Sequence, residues 1–203
     1  MDDLVIIGGG GHGISVFEAV TSLGEFNVMG FIDNHAKAAL SRFGVKYLGT
    51  DVDLHKIISS RTSAVIGIGQ IESPEPRISL GKMLVQRKIL LPPIIAASAT
   101  VSQLSIIGSG SVVLHKALVN ANSKIGAFNI VNSSAVIEHG VCTEDYVHVA
   151  PGAIILGDVS IGMGSFIGAG AIVREGVKVG NRCLIGAGTF IHGDVSDDQV
   201  IRL

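Results

Sequence analysis

The side chains able to do chemistry fall in two stretches. Near the N-terminus, IIGGGGHGIS (6–15) matches the spacing G-x-G-x-x-G through Gly8, Gly10 and Gly13. Glycines let the backbone approach a ligand closely, and free N–H groups at a helix start attract a phosphate or carboxylate. His12 lies inside this stretch, where it can hydrogen-bond a ligand or cap the helix. Asp33 follows Gly13 by 20 residues, the place of a ribose-binding acid in dinucleotide folds. The pattern points to an anionic, nucleotide-like ligand; a tight β–α turn without a ligand stays open beside it. In the second half stand His115, His139, His148 and His192. A positioned imidazole can act as a general base, worth ~10²–10⁴-fold in rate. Cys142 and Cys183 show neither metal-ligand spacing nor a disulfide framework, so no metal is expected.

The first of these stretches needs a strand and a helix around it. LVIIG (4–8) has the aliphatic density of a buried parallel strand, and Ile14, Phe17, Val20 and Leu23 give a helical face ending at Gly24. NVMGFIDN (27–34), VKYLG (45–49) and SAVIGIG (63–69) read as further strands; 51–60 and 74–88 read as helices. Alternating strands and helices predict a small parallel sheet. LLPPII (90–95) breaks the pattern, because two prolines cannot continue a helix. The expected domains are therefore 1–95 and 96–203. The first is short, one nucleotide-binding half rather than the two that hold a dinucleotide, which counts against NAD.

The second stretch is a repeat. Every sixth residue from Ile107 to Ile191 is Ile or Val in fourteen of fifteen places, Thr143 being the exception. Four residues on in each hexad runs a second series, from Ser111 and Ala117 through Cys183 and Thr189 to Val195, nearly all small. No helical period gives a six-residue repeat; this is the signature of a parallel β-helix, three hexads to a coil of about 18 residues. About five coils fit between 101 and 195, each adding ~4.8 Å. The aliphatics point inward and the small residues fit near the corners. At a stacking interval of 18, Pro151, Ala169 and Ala187 form one column and Gly152, Gly170 and Gly188 another. Such a corner can serve as a groove for a long thin ligand, or follow simply from the preference of tight turns for Gly and Ala.

The totals exclude several classes. A net charge of −2 without any Lys/Arg cluster gives no pull toward nucleic acid or anionic lipid. No apolar run reaches the ~18 residues of a membrane span, and the N-terminus, with two aspartates, lacks the basic start of a signal peptide. A soluble cytoplasmic protein is expected.

With IIGGGGHG (6–13), GFIDN (30–34), IGIGQ (66–70), VNSSAVIEH (131–139), HVAPGA (148–153), IGAGA (167–171) and IGAGT (185–189), the chain resembles the sialic acid O-acetyltransferase and sugar acetyltransferase (NeuD/PglD) family of hexapeptide-repeat acyltransferases. The resemblance covers nearly the whole chain. It implies an α/β Rossmann-like N-terminal domain followed by an all-β left-handed parallel β-helix, and a homotrimer with active sites between subunits. It implies acetyl-CoA as co-substrate and a nucleotide-linked amino sugar as acceptor. It assigns His139 as catalytic base beside Glu138, and His148, Ala169 and Ala187 to acetyl-CoA. Gly10, Gly11, His12, Asp33, Asn34 and Gly69 would hold the nucleotide sugar. The acid that follows this histidine in many members is here Gly140, so the orienting carboxylate would be Glu138, Glu144 or Asp145. The activity expected is N-acetylation of the sugar amine. O-acetylation of a sugar, or a non-catalytic nucleotide-binding module, are the alternatives.

Overall fold

A computed structural model describes residues 1–59 and 62–202. The N-terminal part is a parallel sheet of β1 (Asp2–Ile7), β2 (Phe26–Ile32), β3 (Tyr47–Gly49) and β4 (Ser63–Ile66), ordered β3-β2-β1-β4. Around it lie α1 (Gly11–Leu23), α2 (Leu54–Ile57) and α3 (Glu75–Gln86). β1 and β4 are buried along their aliphatic cores, as their unbroken apolar runs require. α1 ends as expected, at Gly24 in the left-handed conformation. The helix expected over 51–60 is instead a 3₁₀ turn (Asp51–Asp53), started by a Thr50–Asp53 capping box, followed by the single turn of α2; Ser60 and Arg61 lie outside the described residues. Successive strands leave β1 on opposite sides, so the crevice between the C-terminal ends of β1 and β4 is the switch point where such sheets bind ligands.

Leu90 still bridges Ser63 of this sheet, whereas Ile94 already pairs with Val112. The chain thus crosses between its domains in Leu91-Pro92-Pro93. From Ile94 onward, two-residue strands stack into three parallel sheets of seven, six and five strands, the faces of a triangular prism. Partners lie 18 residues apart, as in Ile94↔Val112, Val112↔Ile130 and Ile130↔His148. The inward series is buried from Val113 to Ile191, Thr143 included, and with Ala117, Ala135, Ala153 and Ala171 it forms one continuous core. Each corner is turned by a residue in the left-handed region: every sixth residue from Gly110 to Gly188 has φ between 52° and 73°.

The frame shifts once. Val179 pairs with Val195 and Leu184 with Val200, an interval of 16. Two residues have dropped out of the last coil, so Val195 stands against an inward valine rather than at the corner position its place in the small series predicts.

One face of the prism carries the N-terminal domain. Outward residues of the seven-stranded sheet, Ile94, Val112 and Ile130, are fully buried in one cluster with Leu4, Ile6, Val16 and Val20. A second cluster joins Leu80 and Leu84 of α3 to Phe128 and Tyr146. Those rings stack at 4.9 Å, and Gly81 leaves the space that the Tyr146 hydroxyl enters.

Candidate active site

The glycines of the N-terminal turn divide by what surrounds them. A Cβ on Gly13 would strike the Gly8 carbonyl, and one on Gly9 would enter the Phe31 ring. These glycines are required by packing. A Cβ on Gly10 or Gly11 would meet nothing within 4 Å, and Gly10 has an ordinary extended conformation (φ −73°). Nothing among the described residues accounts for glycine there, and the open space lies beside the first-turn N–H groups of α1, which have no intrahelical acceptor. The position leaves room for the close approach of an external anion.

Asp33, at the end of β2, braces this turn. Its carboxylate accepts from Gly9 N (2.7 Å) and His35 N (2.8 Å). Asn34 is exposed and lines a cavity of about 380 Å³ with Asp51, Ile68, Pro76, Ser79, Leu80 and Met83. Gly69 follows β4 beside the His12 side chain: a Cβ added to it would stand 3.5 Å from the His12 Cβ. Gly10, Gly11, His12, Asp33 and Gly69 thus border one crevice, and Asn34 opens onto the cavity beside it.

His12 belongs to the first turn of α1 and caps nothing. Its ring faces the prism, with its centre 6.5 Å from that of His148. His148 occupies the outward position above Ile130 in the docking stripe. Both its ring nitrogens are engaged: Nδ1–H donates to the Gln70 carbonyl, and Nε2 accepts from Asn132 Nδ2 at 3.0 Å. Asn132 is oriented in turn by Ser133 N, which donates to its Oδ1. The Gln70 side chain donates to the Tyr146 and Gly164 carbonyls. Arg77 of α3, fully buried, donates to the carbonyls of Ile68 and Phe128, one in each domain. Among the described residues no carboxylate pairs with it.

Burial first, then the Arg77 charge, then His148, push the His12 pKa down to about 3. Burial outweighs the Gln70 bond and, with Arg77, takes His148 down to about 4. Arg77 itself is lowered to about 10 by burial and stays cationic at neutral pH. The junction therefore holds two neutral imidazoles beside one buried positive charge. His12 Nε2, Gln70 Oε1 and Arg77 Nε are buried without partners there, polar atoms left for something outside the chain.

On the prism, His139 is exposed at the turn after Val136–Ile137. Its ring lies over Gly157, one coil on: a Cβ there would stand 2.6 Å from Cε1 and 2.8 Å from Nε2. Glu138 points the other way, accepting from Asn120 Nδ2 (2.9 Å) one coil back and from the His139 backbone N–H (3.4 Å). Ala169 and Ala187 are exposed at another corner, in the column above Pro151. The Gly170 N–H donates to the Pro151 carbonyl and the Gly188 N–H to the Ala169 carbonyl. A Cβ on Gly152 or Gly170 would meet nothing within 4 Å, so this corner is bare along its length and fits an extended chain laid along the axis. The structure thus brings His148 together with His12 at the domain junction, and sets His139 and the Ala169–Ala187 column at two different corners.

Sequence reasoning missed Gly157, although its place 18 residues after His139 is a stacking signal. It also missed Gln70, Arg77 and Asn132, for which the sequence carries no local signal.

Residues 3–75 match the PglD N-terminal domain family and residues 158–193 the bacterial transferase hexapeptide family of six repeats. The acetyltransferase domain of PglB from Neisseria gonorrhoeae FA1090, also solved with acetyl coenzyme A, is 33% identical, with a TM-score of 0.92 over 98% of this chain and 96% of that one. A histidine-to-asparagine mutant of perosamine N-acetyltransferase from Caulobacter crescentus, in complex with CoA and GDP-perosamine, is 31% identical, with a TM-score of 0.91 over 98% of this chain and 93% of that one. With both domains matched and these relatives aligned almost end to end, the chain belongs to the PglD family of hexapeptide-repeat sugar acyltransferases, an α/β domain on a left-handed β-helix.

Proposed function

We propose that this protein transfers the acetyl group of acetyl-CoA to the amine of a nucleotide-linked amino sugar, with His139 as general base. The observation that carries the reading is the His139 imidazole, exposed at a corner and seated over a glycine that leaves it room. The acetyl-CoA and GDP-perosamine complexes of the relatives support the two substrates. The nucleotide phosphates would meet the N–H groups at Gly10, Gly11 and His12, with Asp33 bracing the turn and Asn34 and Gly69 at its rim. The pantetheine would lie along Ala169 and Ala187. His148, with both ring nitrogens engaged, would act there by shaping the wall between the crevice and the prism. Glu138, tied to Asn120, would fix the backbone that carries His139.

In the reaction the amine nitrogen attacks the thioester carbonyl. The C–N bond forms, His139 takes a proton from the nitrogen, the C–S bond breaks, and the proton passes to the leaving thiolate. The base and the pantetheine column occupy different corners of one prism, so each site would be assembled between neighbouring prisms of a homotrimer in the cytoplasm. A monomer with full activity refutes that arrangement.

The test is thiol release from acetyl-CoA against GDP-, UDP- and dTDP-linked amino sugars, with His139→Ala alongside. Release with one amine, lost in the variant, is expected. Release only with a sugar hydroxyl as acceptor replaces the reading by O-acetylation. Nucleotide binding with no CoA binding replaces it by a binding module.

A further inference from the structure

An imidazole that takes a proton in a transition state works best when a carboxylate fixes its tautomer and faces the cation that forms. The three carboxylates nearest His139 in sequence are all committed elsewhere. Glu138 accepts from Asn120, Glu144 from the Met163 N–H (3.1 Å) and Asp145 from the Ala127 N–H (2.7 Å).

Asp158 is different. Among the described residues its exposed carboxylate accepts no hydrogen bond and closes no ion pair, although it stands at a corner position with φ 57°. Other corners also hold non-glycine residues, Ser134 and Tyr146 among them; what sets Asp158 apart is what it stands beside. His139 leans forward one coil over Gly157, while Asp158 leans back one coil over Gly140: its Oδ1 occupies the space that a Cβ on Gly140 would fill. The pairs 139–140 and 157–158 are stacked neighbours, tied by the Asp158 N–H donating to the His139 carbonyl (2.9 Å). The two side chains therefore pass each other at one corner, each using the other's glycine as its floor.

We infer that Asp158 is the positioning residue for His139: its carboxylate, reaching back across the bare Gly140, orients the imidazole and faces the imidazolium that forms as the amine loses its proton. The inference rests on His139 being the base.

The test uses the full chain with Asp158→Asn, which keeps a residue suited to the left-handed turn, and with the exchange Gly140→Asp/Asp158→Gly, which returns a carboxylate to the same corner from the adjacent coil. Asp158→Asn is expected to lower kcat by about tenfold or more, with KM for both substrates within about twofold. The exchange is expected to restore most of that loss. Without substrate, ¹⁵N NMR of the His139 ring should report one tautomer in the wild type and a mixture in Asp158→Asn. Wild-type kcat in Asp158→Asn, a loss confined to KM for acetyl-CoA, or an unchanged ring spectrum overturns the inference while leaving the base in place. Wild-type turnover in His139→Ala removes the base assignment, and this inference with it.

Discussion

Gly157 offers a clean way to move His139, the proposed base, without touching it. Its φ is not in the left-handed region, so alanine can adopt the backbone without strain, and the three nearest atoms to an added Cβ all belong to the His139 ring. At 2.6 Å from Cε1 the methyl group overlaps the ring by about 1 Å relative to ordinary carbon–carbon contact. The ring is on the surface and free to yield, so Gly157→Ala should change stability by less than about 1 kcal/mol. Displacing a catalytic group by about 1 Å costs on the order of 10²-fold in rate. The expected result is a kcat lowered about 10²-fold, with KM for acetyl-CoA and for the nucleotide sugar near their original values and an unchanged denaturation midpoint. The assay is steady-state thiol release with both substrates varied in turn, beside a urea titration. Wild-type kcat in a folded Gly157→Ala protein would show that the position of this imidazole does not matter to the chemistry, and the role given to His139 would fall.

The remaining predictions probe the other parts of the site. Gly10→Ala and Gly11→Ala meet open space and should fold normally while weakening nucleotide binding by calorimetry. Gly13→Ala, driven into the Gly8 carbonyl, should lose about 1–3 kcal/mol of stability. Ala187→Leu, on an exposed corner, should raise KM for acetyl-CoA at least tenfold with the melting temperature unchanged. Because His12 and His148 are held neutral, with pKa values near 3 and 4 against 6.5 when exposed, unfolding takes up a proton at each below pH 6.5. Stability is full above that pH and falls toward pH 4 by about 1.4 kcal/mol per pH unit for each histidine. Urea midpoints at pH 6 and pH 5 should show this slope, and His148→Gln should halve it.

What could be read from the sequence follows from which contacts have a fixed address. In the prism, the neighbour of any residue is the residue 18 away, so Ile137 buried over Val119 and the column Pro151–Ala169–Ala187 follow from counting. Counting would also have found Gly157 beside His139, and the stripe Ile94–Val112–Ile130–His148 that takes the N-terminal domain. It fails where the frame shifts: the loss of two residues before Val195 leaves a valine in place and is visible only through its pairing with Val179.

The N-terminal domain has no such address. The glycine turn and Asp33 were legible as types at the ends of strands, yet nothing in GGGGHG separates Gly13, required by the Gly8 carbonyl, from Gly10 and Gly11, which face open space. The junction is harder still. Arg77 reaches Phe128 and His148 reaches Gln70, contacts 51 and 78 residues apart that depend on how one domain sits on the other. An arginine that pairs with no carboxylate among the described residues, lodged between two domains, is expensive to bury, and its charge adds to burial, the larger cause, in keeping both histidines of the wall neutral.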